Sequence, residues 1–182
     1  ANMQMMEVEN INTIKIYNTT KYMSLDITAR RNLEITERMR DKGKKGTLLW
    51  VLDKTSTSMG GRHLRRWIND PLIDVDEIKG RLEAVKELKE NLILKSDIQE
   101  NLKKVYDIER LVGKISYGSA NARDMVSLKN SLGRLPEIKK LLSSTNSEML
   151  QSLYENLDEV KDIYELIEKE QYSVDPLPYP FY

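Results

Sequence analysis

Apolar side chains recur every three or four residues over most of this sequence, and that spacing constrains the fold more than any other feature. The clearest stretch begins at Leu150 and steps by 3, 4, 3, 4 and 3 residues to Ile167. Such spacing places the side chains on one face of a helix about 30 Å long, at ~1.5 Å per residue. Similar stretches begin near Val75, Ile108 and Met125. The sequence therefore predicts an all-α fold, a helical bundle with long helices.

Residues that begin and end helices mark the boundaries of these stretches. Asp74, Asp107 and Asn121 each precede an apolar stretch, as helix N-caps do. Pro71 and Pro136 interrupt the helical pattern, because proline lacks the backbone N–H that a helix interior needs. Further N-caps are predicted at Ser58, at Ser96 and at either Thr145 or Asn146.

The two ends of the chain depart from the helical pattern. Ile14 and Ile16 alternate with polar residues, which predicts a short strand-like lead-in. The last residues, SVDPLPYPFY, contain three prolines and predict an irregular tail. The predicted organisation is a lead-in over 1–25, a helical core over 26–170 and a Pro-rich tail over 171–182. The opening ANMQMM is a candidate cloning remnant and does not enter this prediction.

The overall charge and the absence of cysteine exclude several classes of protein. The 29 basic and 29 acidic side chains give a formal net charge of zero, so the chain lacks the basic excess of most free-standing nucleic-acid binders. Without cysteine there are no disulfides and no thiolate metal sites, which favours a reducing, cytoplasmic compartment. No apolar run approaches the ~18 residues of a membrane span, and no signal-peptide pattern opens the chain.

Residues suited to catalysis or metal binding are scarce. His63 is the single histidine, and no acidic side chain lies three or four positions away to orient it. No carboxylates follow the spacing of a calcium-binding loop. The sequence therefore predicts no catalytic, cofactor-binding or metal-ligating residue, and His63 is interpreted as a solvated or interface histidine.

The segment 57–72, TSMGGRHLRRWINDPL, resembles a phosphate-binding turn at first sight. It lacks the second glycine and the Lys-Ser/Thr pair that a nucleotide-binding P-loop requires. Helical spacing instead places Gly60, Leu64, Trp67 and Ile68 on one face. Because glycine costs about 1 kcal/mol against alanine within a helix, Gly60 predicts the close approach of a neighbouring backbone.

The arginines of this segment fall mostly on the other side of the predicted helix. Three roles remain open for Arg62, Arg65 and Arg66: ion pairs with neighbouring helices or domains, a solvated face, or contacts to phosphate. The first is favoured, since the chain has no net positive charge.

Several consecutive motifs resemble one family. The segments YMSLDITARRNLEIT, GTLLWVLDKTSTSMGGRHLRRWINDPLID, RLEAVKEL, YDIERLVGKISYGSANARDM and SLGRLP occur in this order. Together they resemble the core, or lever, region of MutS DNA mismatch-repair proteins, over residues from about 22 to about 168. The resemblance marks a set of signature residues with a role in interdomain packing: Asp53, Lys54, Gly60, Gly61, Arg62, Arg65, Arg66 and Trp67.

The resemblance implies a mechanical role. Proteins of this family dimerise, encircle mismatched duplex DNA, work with a MutL-type partner and use ATP and Mg²⁺ to change state. Their lever helices connect the DNA clamp to the ATPase domain, and residues 1–25 would then lead in from the connector region. The sequence contains neither a Phe-x-Glu mismatch-reading segment nor Walker motifs, so it resembles a piece of a longer bacterial, nucleoid-associated protein. This stretch itself would hold no cofactor and would perform no catalysis.

Two alternatives accompany this interpretation. One is an autonomous nucleic-acid-binding module that uses Arg62, Arg65, Arg66 and the lysine-rich loop 42–45. The other is the lever of a MutS2-like protein that is not dedicated to mismatch repair, although the YMSLD…RRNLE lead-in argues against that branch.

Overall fold

The computed structural model describes residues 21–173, and helices dominate them. The predicted all-α class is confirmed, whereas the strand predicted around Ile14 lies outside the described residues. The boundaries at 25 and 170 stay predictions. The helices are α1 (Ile27–Asn32), α2 (Leu48–Leu52), α3 (Ser58–Asn69), α4 (Val75–Glu90), α5 (Leu92–Lys103), α6 (Ile108–Ser116), α7 (Ala122–Leu132), α8 (Leu135–Leu142), α9 (Glu148–Asn156) and α10 (Lys161–Ser173).

Three of the predicted helix starts are confirmed. The Asp74 side chain accepts hydrogen bonds from the first-turn amides of α4, and Asp107 accepts one from the amide of Arg110 in α6. Asn121 and Asp124 form a reciprocal capping box at the start of α7. These caps satisfy helix amides that have no partner within the helix.

Three other predicted caps are wrong, and at two of the helices the side chain of another residue accepts the capping hydrogen bond. Thr57 rather than Ser58 caps α3, since the Thr57 hydroxyl accepts from the amide of Gly60. Ser96 lies inside α5, which begins earlier under the Asn91 cap. Ser147 rather than Thr145 or Asn146 is the N-cap of α9. The buried hydroxyl of Thr145 instead donates to the carbonyl of Leu142; the caps thus depend on local competition for hydrogen bonds.

The single long helix predicted over 150–167 is also wrong, because the chain turns between α9 and α10. The turn places Val160 at φ +50, a left-handed conformation that β-branched residues rarely adopt. The amide of Val160 donates to the Asp158 carboxylate at 2.9 Å. Because α9 packs against α4 and α8 whereas α10 packs against α7, each half buries its apolar face against a different partner.

Two apolar clusters form the core of the described residues. The first gathers the buried side chains of α4, α8 and α9, and the second gathers those of α6, α7 and α10. Helix α7 continues almost directly into α8, so the two clusters adjoin along the chain. The buried members are Ala84, Ile138, Leu142 and Leu150 in the first cluster and Leu111, Leu128, Leu132 and Ile167 in the second.

The start of the described chain returns to the end of α3. Tyr22 and Leu72 form an isolated antiparallel bridge, and the Met23 amide donates to the Pro71 carbonyl at 2.8 Å. The Arg30 guanidinium reaches the Asp70 carboxylate at 3.4 Å. These contacts fix the end of α3 against α1. Among residues 21–173, no helix combines the length and apolar character needed to cross a membrane.

Candidate functional site

The loop before α3 supplies the close contacts of the two signature glycines. A Cβ added to Gly60 would lie 3.1 Å from Thr57 Oγ1 and 3.4 Å from Thr55 Cβ. At Gly61 it would lie 3.3 Å from Thr55 Oγ1. The expected approach of a neighbouring backbone at Gly60 is therefore wrong: the crowding comes from side chains of the loop that folds back on the first turn of α3.

Asp53 holds that loop in place. Its carboxylate accepts hydrogen bonds from the Thr55 hydroxyl at 2.7 Å and from the Thr55 amide at 3.2 Å. These bonds, with the hydroxyl foremost, lower the pKa of Asp53 below its ordinary value, so the carboxylate stays charged. The signature residues from Asp53 to Gly61 consequently form one local unit.

Arg62 connects α3 to the start of α6. Its guanidinium donates to both oxygens of Asp107, at 2.7 and 2.8 Å, and to Glu109 at 2.5 Å. The Asp107 carboxylate also accepts from the Ser58 hydroxyl at 2.9 Å while it caps α6. Of the three roles considered for the arginines, Arg62 therefore takes the ion pair.

The two charged partners of this junction, Asp107 and Arg62, differ in their exposure to solvent, and each shifts the pKa of the other. Hydrogen bonds from Arg62, followed by the one from Ser58, hold the pKa of Asp107 well below its ordinary value. The same carboxylate and Glu109 raise the pKa of Arg62. The Asp107 side chain is 20 % exposed and Arg62 is 49 % exposed, so solvent screens the cation more than the anion.

Arg65 and Arg66 differ from Arg62. Both are exposed, and within residues 21–173 neither has an ion-pair partner. Arg65 lines a cavity beside α2 together with Arg62, Lys54 and Lys44, and Arg66 lies outside that lining. The structure thus brings one residue of the lysine-rich loop next to two of the three arginines.

Trp67 joins α3 to α4 by ring contacts. The Arg81 guanidinium lies 3.7 Å from the centre of the Trp67 ring, within cation–π distance. The His63 ring packs against the Trp67 ring, with 5.0 Å between the two centroids and an angle of 57° between the ring planes. His63 is exposed and packs against Trp67 of its own helix.

A second polar connection joins the two halves of the motif ERLVGKISYGSANARD. The Lys114 ammonium on α6 lies 2.8 Å from the Asp124 carboxylate on α7. This contact, and the amide of Asn121 after it, lowers the pKa of Asp124. The same carboxylate completes the α7 capping box, so one acidic side chain both starts α7 and holds it to α6.

Sequence reasoning missed two polar residues that connect distant parts of the chain. Ser131 is fully buried; its hydroxyl accepts from the Tyr106 amide at 2.9 Å and donates to the Ser127 carbonyl at 2.8 Å. Glu87 accepts from the amides of Asn146 and Ser147 at the start of α9, at 2.6 and 2.8 Å. A serine within the apolar stripe of α7 was a usable signal, whereas nothing local to Glu87 indicated its partner.

Residues 21–173 contain no group of three His, Asp or Glu side chains placed to hold a metal ion. Around α3 the structure shows ion pairs, a ring stack and hydrogen bonds that connect this helix to its neighbours.

Known proteins match the same region of the chain. A family model described as MutS domain III matches residues 28–176. A protein named DNA mismatch repair protein MutS from Clostridium beijerinckii is 54 % identical over 165 residues, which is 91 % of this chain and 18 % of that protein. Proteins of the same name from Clostridium perfringens and Acetivibrio thermocellus are each 49 % identical over 166 residues, 91 % of this chain and 18 % and 19 % of theirs.

The chain therefore spans about a fifth of the length of the curated relatives it matches. Nearly all of its described residues fall within the family match, including α3, the junction with α6 and both core clusters. This chain belongs to the MutS domain III family.

Proposed function

We propose that this chain is the core and lever element of a DNA mismatch-repair protein and that it acts mechanically, without chemistry of its own. In this role it couples an ATPase domain to a DNA clamp, so that nucleotide state at one end changes DNA contact at the other. The observation that supports it best is the Arg62–Asp107 junction. That junction joins the signature helix α3, which buries none of its residues, to the start of α6. It therefore connects α3 to the packed body formed by α6, α7 and α10.

The polar connections are arranged in series. Asp53 shapes the loop before α3, Arg62 holds α3 to α6, and the Lys114–Asp124 pair holds α6 to α7. Helix α7 then packs against α10 in the second core cluster. A displacement of α3 would therefore reach α10 through packed and hydrogen-bonded contacts, which are one physical means of coupling distant sites.

The proposal places the remaining activities in the longer protein. The parent would be a DNA-dependent ATPase that uses ATP and Mg²⁺, binds mismatched duplex DNA as a homodimer, and works with a MutL-type partner. It would act in the bacterial cytoplasm, at the nucleoid during repair. The names of the relatives support the mismatch-repair part of this assignment.

A chimera tests the coupling. Residues 28–176 replace the matching segment of the full-length Clostridium beijerinckii relative, and ATP-induced release of a mismatched duplex is followed by fluorescence anisotropy. We expect Asp107→Ala to slow or abolish ATP-induced release while ATP binding and initial DNA binding persist, because the connection between α3 and α6 is lost.

The matched control is Lys140→Gln, a change at an exposed lysine on α8 that makes no ion pair among residues 21–173. It should leave release unchanged. Normal ATP-induced release in the Asp107→Ala chimera would contradict the coupling role of this junction.

The autonomous nucleic-acid-binding module is a second candidate, favoured by the proximity of Lys44 to Arg62 and Arg65 in one cavity. Two features weigh against it: Arg62 is engaged by two carboxylates, and the net charge is zero. We expect the isolated chain to show no micromolar affinity for perfect or mismatched duplex at ~150 mM salt. Micromolar binding with a steep salt dependence would favour the module instead.

A further inference from the structure

The cavity beside α2 and α3 has features of a docking site for another protein. It measures about 690 Å³ and lies between the loop that carries Lys44, the exposed helix α2 and the first two turns of α3. We infer that it receives an acidic segment of a separate partner protein, with one bulky apolar side chain seated against Trp50 and carboxylates facing Lys44 and Arg65.

The cations of the lining supply the charge complementarity. Lys44 and Arg65 are exposed and have no ion-pair partner among residues 21–173. Arg62 also lines the cavity, but Asp107 and Glu109 already engage it. Lys44 and Arg65, together with the exposed Lys54 of the same lining, give the cavity a net positive charge, since Asp53 supplies the one carboxylate among the described residues that line it.

The apolar wall supplies the anchor. Helix α2 has five residues, and only Leu49 is buried. Trp50 lines the cavity and is 50 % exposed. The neighbouring Leu48, Val51 and Leu52 are each about half exposed as well, outside the lining of the cavity. Half-exposed tryptophan beside aliphatic side chains is typical of the anchor position of a protein interface, where aromatic residues contribute most of the affinity.

Protein fits this lining better than nucleic acid does. The Asp53 carboxylate belongs to the lining and stays charged, since its pKa is lowered by the Thr55 hydrogen bonds. A row of phosphates would meet this negative charge, whereas a peptide can place a backbone amide or a lysine near Asp53.

A separate partner fits better than permanent cover. Permanent interfaces are mainly apolar, and exchangeable ones carry more charge. Helix α4 offers the first kind of surface, with Val75, Leu82 and Val85 each about 60 % exposed along one face. The cavity beside α2 offers the second kind, since charged and hydroxyl side chains make up most of its lining. This inference is independent of the coupling role proposed above.

A labelled peptide tests the inference on the full chain. Fluorescein–DEDFLDE is titrated with the protein and followed by anisotropy, beside NQNFLNQ, which lacks the carboxylates, and DEDSSDE, which lacks the anchor. We expect binding of DEDFLDE alone, weakened about tenfold or more by Lys44→Glu/Arg65→Glu, since two attractions become repulsions. Trp50→Ala should weaken it as well.

The control is Arg123→Glu/Lys140→Glu, which makes the same change in net charge at two exposed positions outside the cavity. It should bind the peptide as the unaltered chain does, and circular dichroism is used to check that every variant is folded. Equal weakening by both double variants would overturn the assigned location, and absence of binding by DEDFLDE would overturn the inference itself.

Two further measurements separate the rival occupants. A labelled 20-bp duplex that binds the chain and is released by Lys44→Glu/Arg65→Glu would overturn the inference in favour of nucleic acid. Full-length Clostridium beijerinckii protein should bind DEDFLDE as the chain does. If the full-length protein does not bind while the chain does, the cavity is covered within the longer protein and the partner assignment is overturned.

Discussion

Helices α3 and α7 are nearly equal in length, but they are held in opposite ways. Helix α3 has 12 residues and none of them is buried, whereas α7 has 11 residues and buries Leu128, Ser131 and Leu132. Helix α3 is positioned by the Arg62–Asp107 ion pair, the Trp67 stack and the loop around Asp53. Helix α7 is positioned by apolar burial against α6 and α10.

The difference indicates that the signature residues around α3 and the buried residues of α7 contribute to different properties of the protein. Burial of apolar side chains contributes a few kcal/mol per residue, while exposed ion pairs contribute about 0–1 kcal/mol each. The signature around α3 therefore contributes little to global stability, although it contains much of the motif that marks the family. Its residues serve contacts and geometry at the surface, and the α7–α10 body carries the stability.

The largest effect should follow from Leu132→Ala in the body. Leu132 is 5 % exposed and belongs to the second core cluster. Removing it should lower the free energy of unfolding by about 2–5 kcal/mol, since transfer and cavity terms add. Urea denaturation followed by circular dichroism measures the loss. Leu166→Ala, at a half-exposed position on α10, is the control and should cost well under half as much.

Ser131→Ala should lower the free energy of unfolding by about 1–3 kcal/mol, because it leaves the part-buried Tyr106 amide without its acceptor. The measurement is the same denaturation experiment. Ser143→Ala removes an exposed hydroxyl that bonds only its own helix, and it should change stability by a few tenths of a kcal/mol. Similar losses for the two serines would show that the hydrogen bond to Tyr106 contributes nothing particular to the body.

A structural feature could be predicted from the sequence when the interaction that determines it lies within a few residues. The caps at Asp107 and Asn121 follow from chemistry within three residues, and the sequence predicts them correctly. The break between α9 and α10 does not, because both halves keep the same apolar spacing and only their different packing partners require a turn. Periodicity carries no information on that choice.

The site divides in the same way. The sequence identified α3 and its loop as distinctive and placed Trp67 among the residues that pack. It could not supply the Asp107 partner of Arg62, which lies 45 residues away. It also misjudged Gly60, whose close neighbours are threonines of the preceding loop rather than another backbone. Long-range charge pairing and loop conformation are set only once the body has folded.

The Asp107 junction gives a smaller, pH-dependent effect. Because folding lowers the pKa of Asp107, its negative charge stabilises the protein at pH values above the unfolded pKa of ~3.9, and this stabilisation is lost as the pH falls through the lower folded pKa. Asp107→Asn keeps a side chain that can cap α6 but removes the charge. We expect the variant to be less stable at pH 7 and the gap to narrow below about pH 4.

Asp107→Ala removes the cap as well and should cost about 1 kcal/mol more than the asparagine variant. Thermal denaturation at pH 7, 5 and 3.5 measures both variants against the unaltered chain. A gap between Asp107→Asn and the unaltered chain that is the same at all three pH values would show that the ion pair does not contribute, and the junction would then depend on capping alone.

The smallest effect, and the one that separates the two regions most directly, comes from glycines in helices. A Cβ at Gly80, inside α4, meets nothing within 4 Å, so Gly80→Ala should raise stability by about 0.5–1 kcal/mol through helix propensity alone. At Gly60 the same change places Cβ 3.1 Å from the Thr57 hydroxyl that caps α3, so crowding should offset the gain. Equal stabilisation by the two alanines in denaturant titrations would show that the loop before α3 yields freely. In that case the folded-back loop would be a pliable surface feature, and the order of the signature region would depend on Arg62 and Trp67 alone.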